Sequence, residues 1–285
     1  MLPSGADPAE VPALAARAEQ LGYDLVASGE HVLFGSPTSN AFVALAAAAA
    51  TTSRVRLLSA VTLLPLYPPA LAAKMAATLD RIAGGRFELG VGVGGENPDE
   101  FAACGVPVSA RGRRMDEALP VVRAYLTGET VPVDGRPTTL DPLPVGRVPV
   151  WVGGRSEAAM RRAGRAGEVW MPYLCSPDRV ERGLRLANDV AAEQRRGPVT
   201  GGLLAWSAVA DTRAEARTLA VDTLQRIYGQ DMTRIVDACV PHGTPDEVVA
   251  RFREYADAGA EQILFGPLCA EGEHEAAIRA VAAAL

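Results

Sequence analysis

The chain alternates between short runs of apolar, β-prone residues and longer segments in which apolar residues recur at helical spacing. Near the start, Val11, Leu14, Ala18 and Leu21 fall on one face of a predicted helix, which Gly22 ends. The apolar runs predict buried strands at 24–28, 56–64, 84–96, 148–152, 168–171, 200–210 and 262–265. Helical spacing predicts further helices at 40–51, 70–82, 110–126, 156–165, 178–195, 215–228, 246–258 and 273–285.

This alternation is typical of a parallel sheet covered by helices. Seven strand–helix units and an opening fragment favour a (β/α)₈ TIM barrel over an open doubly wound sheet, with 1–285 as a single domain. Strand one would have to be Met1 to Pro3, so it is predicted to be truncated or missing. The segment 127–147 is rich in turn residues and is interpreted as a surface excursion.

The strand region 84–96, GGRFELGVGVGGE, loses its side chains toward its end. Glycines in a buried strand usually make room for another backbone or for a ligand. The spacing of Gly90, Gly92 and Gly95 also matches the dinucleotide-binding fingerprint, but Asn97-Pro98 stands where that motif needs an uninterrupted helix. We therefore interpret this strand end as a wall beside a ligand; packing that merely tolerates small residues is the alternative.

A second glycine pair is better placed to bind an anion. Gly153 and Gly154 follow a predicted strand, and Arg155 and Ser156 lead into a helix. Free N–H groups at a helix start can bind phosphate, and Arg155 would add positive charge. An ordinary strand–helix turn with a serine cap is the alternative.

His31 directly follows the predicted strand 24–28, at the end of a barrel where active sites form. Its unperturbed pKa range suits general acid–base work, although a loop histidine is often simply solvated. His242 and His274 are expected to be structural or exposed. No cluster of His, Cys, Asp or Glu has metal-ligand spacing, so no metal site is predicted.

Charge and composition limit the partners. The net charge is −6, which argues against nucleic acid or an anionic membrane as the main partner. The apolar run 41–50 is too short to span a bilayer, and no signal segment is evident. The four cysteines include no Cys-x-x-Cys, so they are interpreted as reduced thiols. These features predict a soluble, cytoplasmic protein.

The stretch LLPLYPPALAAKMAATLDRIAGGRFELGVGVGGE resembles the bacterial luciferase-like monooxygenase superfamily, and most closely its deazaflavin-dependent oxidoreductases. Three further stretches support the resemblance in the same order along the chain: LGYDLVASGEHV, VPVWVGGRSEAAMRRAGRAGEVW and GTPDEVVARFREYADAGAEQILFGP. The resemblance implies a TIM barrel that binds coenzyme F-420 or FMN at its carboxyl-terminal face. It also implies a homodimer and hydride exchange with a small organic substrate. An FMN-dependent monooxygenase and a non-catalytic cofactor-binding barrel are the alternatives.

The resemblance assigns roles to particular residues. His31 matches the family's histidine near the reacting ring, and Ala60-Val61 matches the position of a non-proline cis peptide behind that ring. The matches to cofactor-binding segments are Gly94, Gly95 and Glu96 at the end of the fourth strand, and Gly153, Gly154, Arg155 and Ser156 at the phosphate-binding turn.

Two positions depart from the sugar-phosphate dehydrogenases of this superfamily. Gly35 stands where some relatives have a tryptophan, and Gly95 stands where they have a glutamate. Glu96 lies one residue later and is not assumed to substitute. The sequence therefore argues against sugar-phosphate dehydrogenase activity of that subtype.

Overall fold

A computed structural model describes residues 1–2, 7–34, 38–270 and 272–285. The strands of the main sheet lie close to the predicted ranges, at β1 (Leu25–Ser28), β2 (Arg56–Ser59), β3 (Thr62–Leu63) and β4 (Phe87–Gly92). A separate hairpin consists of β5 (Val131–Val133) and β6 (Arg136–Thr138). The sheet continues with β7 (Val150–Gly153), β8 (Val169–Met171), β9 (Thr200–Val209), β10 (His242–Gly243) and β11 (Ala260–Pro267).

Every pairing in the main sheet is parallel, and the strands follow one another round the sheet in chain order. β3 continues the position of β2 beside β4, and β10 pairs with the end of β9. The predicted TIM-barrel arrangement is confirmed. Side chains at the carboxyl ends of all these strands therefore face one end of the barrel.

Helices alternate with these strands and cover the sheet. They are α1 (Val11–Gln20), α2 (Ala41–Ala49), α3 (Pro69–Ile82), α4 (Pro98–Ala103), α5 (Arg111–Leu126), α6 (Glu157–Ala166), α7 (Pro177–Glu193), α8 (Arg213–Tyr228), α9 (Thr233–Cys239), α10 (Pro245–Asp257) and α11 (His274–Ala284). Short 3₁₀ turns occupy Pro8–Glu10, Leu64–Leu66 and Val108–Ala110. No helix in the described part of the chain is long and apolar enough to cross a membrane.

Met1 and Leu2 stand where strand one of the barrel would run. The Met1 amine donates to Phe265 O of β11 at 2.7 Å, and Leu2 N donates to Ala27 O of β1 at 2.7 Å. These two residues form no regular strand, and Pro3 lies outside the described residues. The ring between β11 and β1 is thus bridged by two hydrogen bonds.

Several boundaries differ from the predictions. The strand predicted at 56–64 is interrupted between Ser59 and Thr62, and the one predicted within 84–96 is limited to β4. Gly84, Gly85, Gly94 and Gly95 have positive φ angles, which take the backbone out of the β region on both sides of β4.

Several short elements were not predicted. The excursion 127–147 contains the β5–β6 hairpin, which turns at Asp134-Gly135. The helix α9 was missed, and so was β10, to which His242 belongs. Elements this short carry little periodic signal, because one or two helical turns or two strand residues cannot establish a repeat.

Candidate active site

A pocket opens at the carboxyl ends of the barrel strands. Residues that follow β1 and β2, and residues in or just beyond β3, β4, β7, β8 and β9, line it together with the last turn of α8. Most of the lining is apolar or aromatic, and the polar groups include Glu30, His31 and Glu96. This combination of an apolar cavity with a few converging polar groups is typical of a small-molecule site.

The Val61 side chain forms part of the pocket wall between two glycines. A Cβ added at Gly92 would collide with Val61 Cγ2, and one at Gly153 would lie 2.8 Å from Val61 Cγ1. Gly90, two residues before Gly92 on β4, has no side chain, and this lets the Ser59 carbonyl approach the strand. The glycines of β4 therefore make room for the chain's own 59–61 segment, and the Ala60–Val61 peptide in it is cis, as the resemblance implies.

His31 is held by a buried carboxylate. Its Nδ1 lies 3.2 Å and 3.3 Å from the two oxygens of Glu100, which is fully buried on α4. The same carboxylate accepts from Val32 N at 3.1 Å, and the Phe34 ring stacks on the imidazole at 3.9 Å. Because Nδ1 faces Glu100, Nε2 is the ring nitrogen available to a bound molecule.

The neighbouring Glu30 has a structural role. Its carboxyl group is buried and accepts hydrogen bonds from Asn40 Nδ2, Tyr67 OH, Ala41 N and Leu63 N at 2.8–3.3 Å. Burial raises the pKa of Glu30, against the opposing effect of these donors. The four bonds tie the loop after β1 to the start of α2 and to β3, and so fix the backbone that carries His31.

A hydrogen bond spans the mouth of the pocket. Tyr173 OH, beyond β8, donates to Glu96 Oε1 at 2.9 Å, and the Arg155 guanidinium lies 5.3 Å from the centre of the Tyr173 ring. Burial raises the pKa of Tyr173, and it raises that of nearby Tyr228 to about 12. Both tyrosines therefore present neutral hydroxyl groups at physiological pH.

The predicted phosphate turn has the local structure that its sequence indicates. Ser156 caps α6 by accepting a hydrogen bond from Ala159 N at 3.2 Å, and Gly154 has a φ of +122°. Arg179 donates to Arg155 O at 2.8 Å and holds this turn. The arrangement leaves a helix N-terminus and one guanidinium beside the pocket, both of which favour an anion.

The structure brings most of the predicted site residues to one pocket. Those that line it are His31, Ala60, Val61, Gly94, Glu96, Gly153 and Gly154. Three others are not part of the lining: Gly95 packs against Arg111, and Arg155 and Ser156 lie in the turn before α6. Gly35 lies outside the described residues.

Sequence reasoning missed the partners of the predicted residues. Glu100 was not identified, although the Asn97-Pro98 start of a short helix after a barrel strand is a local signal for a positioned side chain. The pocket residues Tyr173, Trp206 and Tyr228 were also missed. No pattern in the sequence shows that these three aromatic side chains, from different strand–helix units, meet.

A parallel barrel with an apolar pocket and a held histidine at its carboxyl end defines an enzyme-like site. The chain belongs to the luciferase-like monooxygenase family, whose model matches residues 1–262.

Two curated relatives illustrate the range of similarity. An uncharacterised protein of Mycobacterium tuberculosis is 39% identical over 153 residues, a stretch that covers 52% of this chain and only 52% of that protein. The matched stretch thus spans about half the length of this relative. An F420-dependent glucose-6-phosphate dehydrogenase of Beutenbergia cavernae is 30% identical over 297 residues, covering 90% of this chain and 87% of that protein.

Solved structures share the whole fold. The monooxygenase RslO1 from Streptomyces bottropensis superimposes with a TM-score of 0.84 at 26% identity, covering 98% of this chain and 92% of that one. An F420-dependent secondary alcohol dehydrogenase gives a TM-score of 0.83 at 19% identity, covering 99% and 95% of the two chains. At this identity the second likeness describes the barrel alone.

Proposed function

We propose that this protein is an oxidoreductase that transfers hydride between coenzyme F-420 and a small organic substrate. The observation that carries the proposal is the His31–Glu100 pair, which leaves one imidazole nitrogen available in the apolar pocket at the barrel's carboxyl end. The F420-dependent relative, which is similar over nine-tenths of this chain, supports the choice of cofactor.

The residues present suit a flat cofactor with an anionic tail. The Val61 side chain supplies an apolar surface. It fits between Gly92 and Gly153 because neither glycine has a side chain. The turn from Gly153 to Ser156 would hold a phosphate through the N-terminus of α6, with Arg155 close by. When bound, a deazaflavin supplies or accepts hydride, which is one proton with two electrons.

His31 would transfer the proton that the substrate oxygen gains or loses. Reduction of a carbonyl group to an alcohol needs a proton on oxygen in addition to the hydride on carbon, and alcohol oxidation releases that proton. His31 Nε2 would donate or accept it, while Glu100 holds Nδ1 and stabilises the positive charge of the protonated ring.

The test of the cofactor is a fluorescence titration of the purified protein with oxidised coenzyme F-420 and with FMN in parallel. We expect tighter binding of F-420. Tight binding of FMN alone would overturn the proposed cofactor, and binding of neither would overturn the proposed function.

The His31→Ala variant tests the assigned proton transfer. We expect turnover to fall by about 10²–10⁴-fold, because general acid–base groups contribute on that scale, with cofactor affinity nearly unchanged. Unchanged turnover would remove His31 from the mechanism. His242→Ala is the control for loss of an imidazole away from the pocket.

An FMN-dependent monooxygenase on the same barrel is the second candidate. The family's description and the similarity to the monooxygenase RslO1 favour it. It predicts that one oxygen atom of dioxygen enters the substrate, and the other leaves as water, when reduced FMN and a substrate are supplied together, whereas the F-420 oxidoreductase puts no oxygen into its substrate.

A further inference from the structure

Among the described residues of the pocket lining, the side chain that can carry a positive charge is His31, and Glu100 already pairs with it. These lining residues include no lysine or arginine, and the carboxyl groups present are Glu30 and Glu96. Glu30 is buried within its four hydrogen bonds, whereas Glu96 is exposed at the mouth. Arg155, the nearest cation described above, is stacked on Tyr173 in the turn before α6 and lies outside the lining.

One wall of the pocket is built from aromatic and aliphatic side chains. Trp206 of β9 packs over Gly266 of β11, where a Cβ would lie 2.9 Å from the indole ring. Tyr173, Tyr228 and Ile227 pack with Trp206 against one buried cluster, and Leu204 lines the same pocket. Such a surface takes a flat apolar group. Because Tyr173 donates its hydroxyl proton to Glu96, the neutral hydroxyl of Tyr228 is the tyrosine donor left for a single uncharged oxygen.

An anionic group placed against this wall would lose its water without meeting a lysine or arginine, and the charge of a protonated His31 is already balanced by Glu100. Burying an unpaired charge costs far more than burying a neutral carbonyl group, which needs one donor. Glu96 adds a negative charge at the mouth through which an anion would pass.

We infer that the substrate is an uncharged molecule with an aromatic or aliphatic ring and a carbonyl or hydroxyl oxygen, bound against the Trp206 wall. This rests on the proposed function for the identity of the site as the place of reaction. It excludes sugar phosphates and carboxylates, and therefore glucose 6-phosphate, the compound in the name of the F420-dependent relative.

The test compares two probes of the same shape. Acetophenone and 4-acetylbenzoate share the ring and the ketone, and the second adds a carboxylate. Calorimetric titration into protein saturated with F-420 or FMN, whichever binds more tightly, gives both affinities. We expect acetophenone to bind at least about tenfold more tightly, because the carboxylate has no partner in the pocket. Glucose 6-phosphate is expected to give no binding heat.

Three variants locate the effect. Trp206→Ala is expected to weaken acetophenone binding by about tenfold through loss of apolar contact. Tyr228→Ala provides a second wall variant if Trp206→Ala unfolds. Glu96→Gln should reduce the ratio of the two affinities, acetophenone over 4-acetylbenzoate, by about threefold. The effect is small because exposed charges interact weakly. Glu117→Gln, in an exposed ion pair with Arg113, is the matched control and should leave the ratio unchanged.

Equal or tighter binding of 4-acetylbenzoate would overturn the inference, as would failure of acetophenone to bind at millimolar concentration. Unchanged acetophenone affinity in the folded wall variants would also overturn it. If neither cofactor binds, the proposed function fails, and the same titrations on the unloaded protein still decide the preference of the pocket.

Discussion

Interactions around a single imidazole organise the site at the residue scale. Sequence position alone identified His31, because it follows a barrel strand. It could not identify Glu100, which is 69 residues further along the chain and becomes a neighbour only when the strands close into a ring. The same limit applies to Glu30, whose partners come from three separate segments.

We predict that Glu100→Gln lowers turnover by about tenfold while leaving cofactor affinity nearly unchanged. The amide keeps the size of the side chain but removes the charge that holds the protonated imidazole. The measurement is a double-mutant cycle with His31→Ala.

If Glu100 acts through His31, its substitution has no further effect on the residual turnover of the His31→Ala variant. An equal loss in both backgrounds would indicate that Glu100 merely supports the fold. Glu117→Gln again serves as a control, at an exposed helix position.

At the scale of elements, the main feature is the close contact between β4 and the 59–61 segment. The long helices and strands follow from their periodicity, and the glycines of 84–96 indicated a close approach. The sequence did not show that the approaching group is the 59–61 segment of the same chain. A glycine indicates that space is needed beside the strand, but not which group fills it. The boundaries of β4 depended on positive φ angles at the flanking glycines, which hydrophobic pattern does not encode.

Two glycines of β4 provide a matched pair of tests. Gly92→Ala places a methyl group against the Val61 side chain, whereas Gly90→Ala places one against the Ser59 backbone carbonyl. We expect each to lower the free energy of unfolding by about 1–3 kcal/mol or more, as overpacking does. Adding Val61→Ala should recover much of the loss for Gly92→Ala, because it removes the colliding methyl groups.

Adding Val61→Ala should recover little of the free energy of unfolding lost in Gly90→Ala. The clash there is with a backbone carbonyl, which no side-chain substitution removes. Denaturant unfolding measures both cycles, and Gly112→Ala, which has nothing within 4 Å, is the control. Equal rescue of both glycine variants would contradict this account of the strand.

The whole molecule is a barrel whose ring is bridged by two residues between β11 and β1. The alternation of elements was sufficient to predict the barrel, because few folds accommodate so many strand–helix units in succession. Burial of particular polar groups around the bridge was not predictable. His274, expected to be structural or exposed, is buried with Nδ1 lacking a hydrogen-bond partner among the described residues. The homodimer and the cytoplasmic location remain predictions.

We predict that stability falls between pH 6.5 and 4 because of His274. Burial lowers its pKa from 6.5 to about 4, and the nearby Met1 amine acts in the same direction. The unfolded chain therefore binds a proton in this range that the folded protein does not, and the free energy of unfolding decreases as pH falls, by up to about 3 kcal/mol.

Denaturant unfolding at several pH values measures this dependence. His274→Phe removes the titrating ring and should flatten the curve across that range. Burial also lowers the pKa of the Met1 amine to about 5, so part of the loss below pH 8 remains in the variant. An unchanged slope in His274→Phe would contradict the assignment.

The placement of Val61 between Gly92 and Gly153 has a consequence for how this pocket can evolve or be redesigned. The three positions share one small volume, so a larger residue at any one of them requires a smaller one at another. Libraries that randomise these positions singly would sample mostly misfolded variants and would make the pocket look immutable. Randomising all three together would expose the compensated combinations, and with them new shapes for the surface on which the cofactor is proposed to lie.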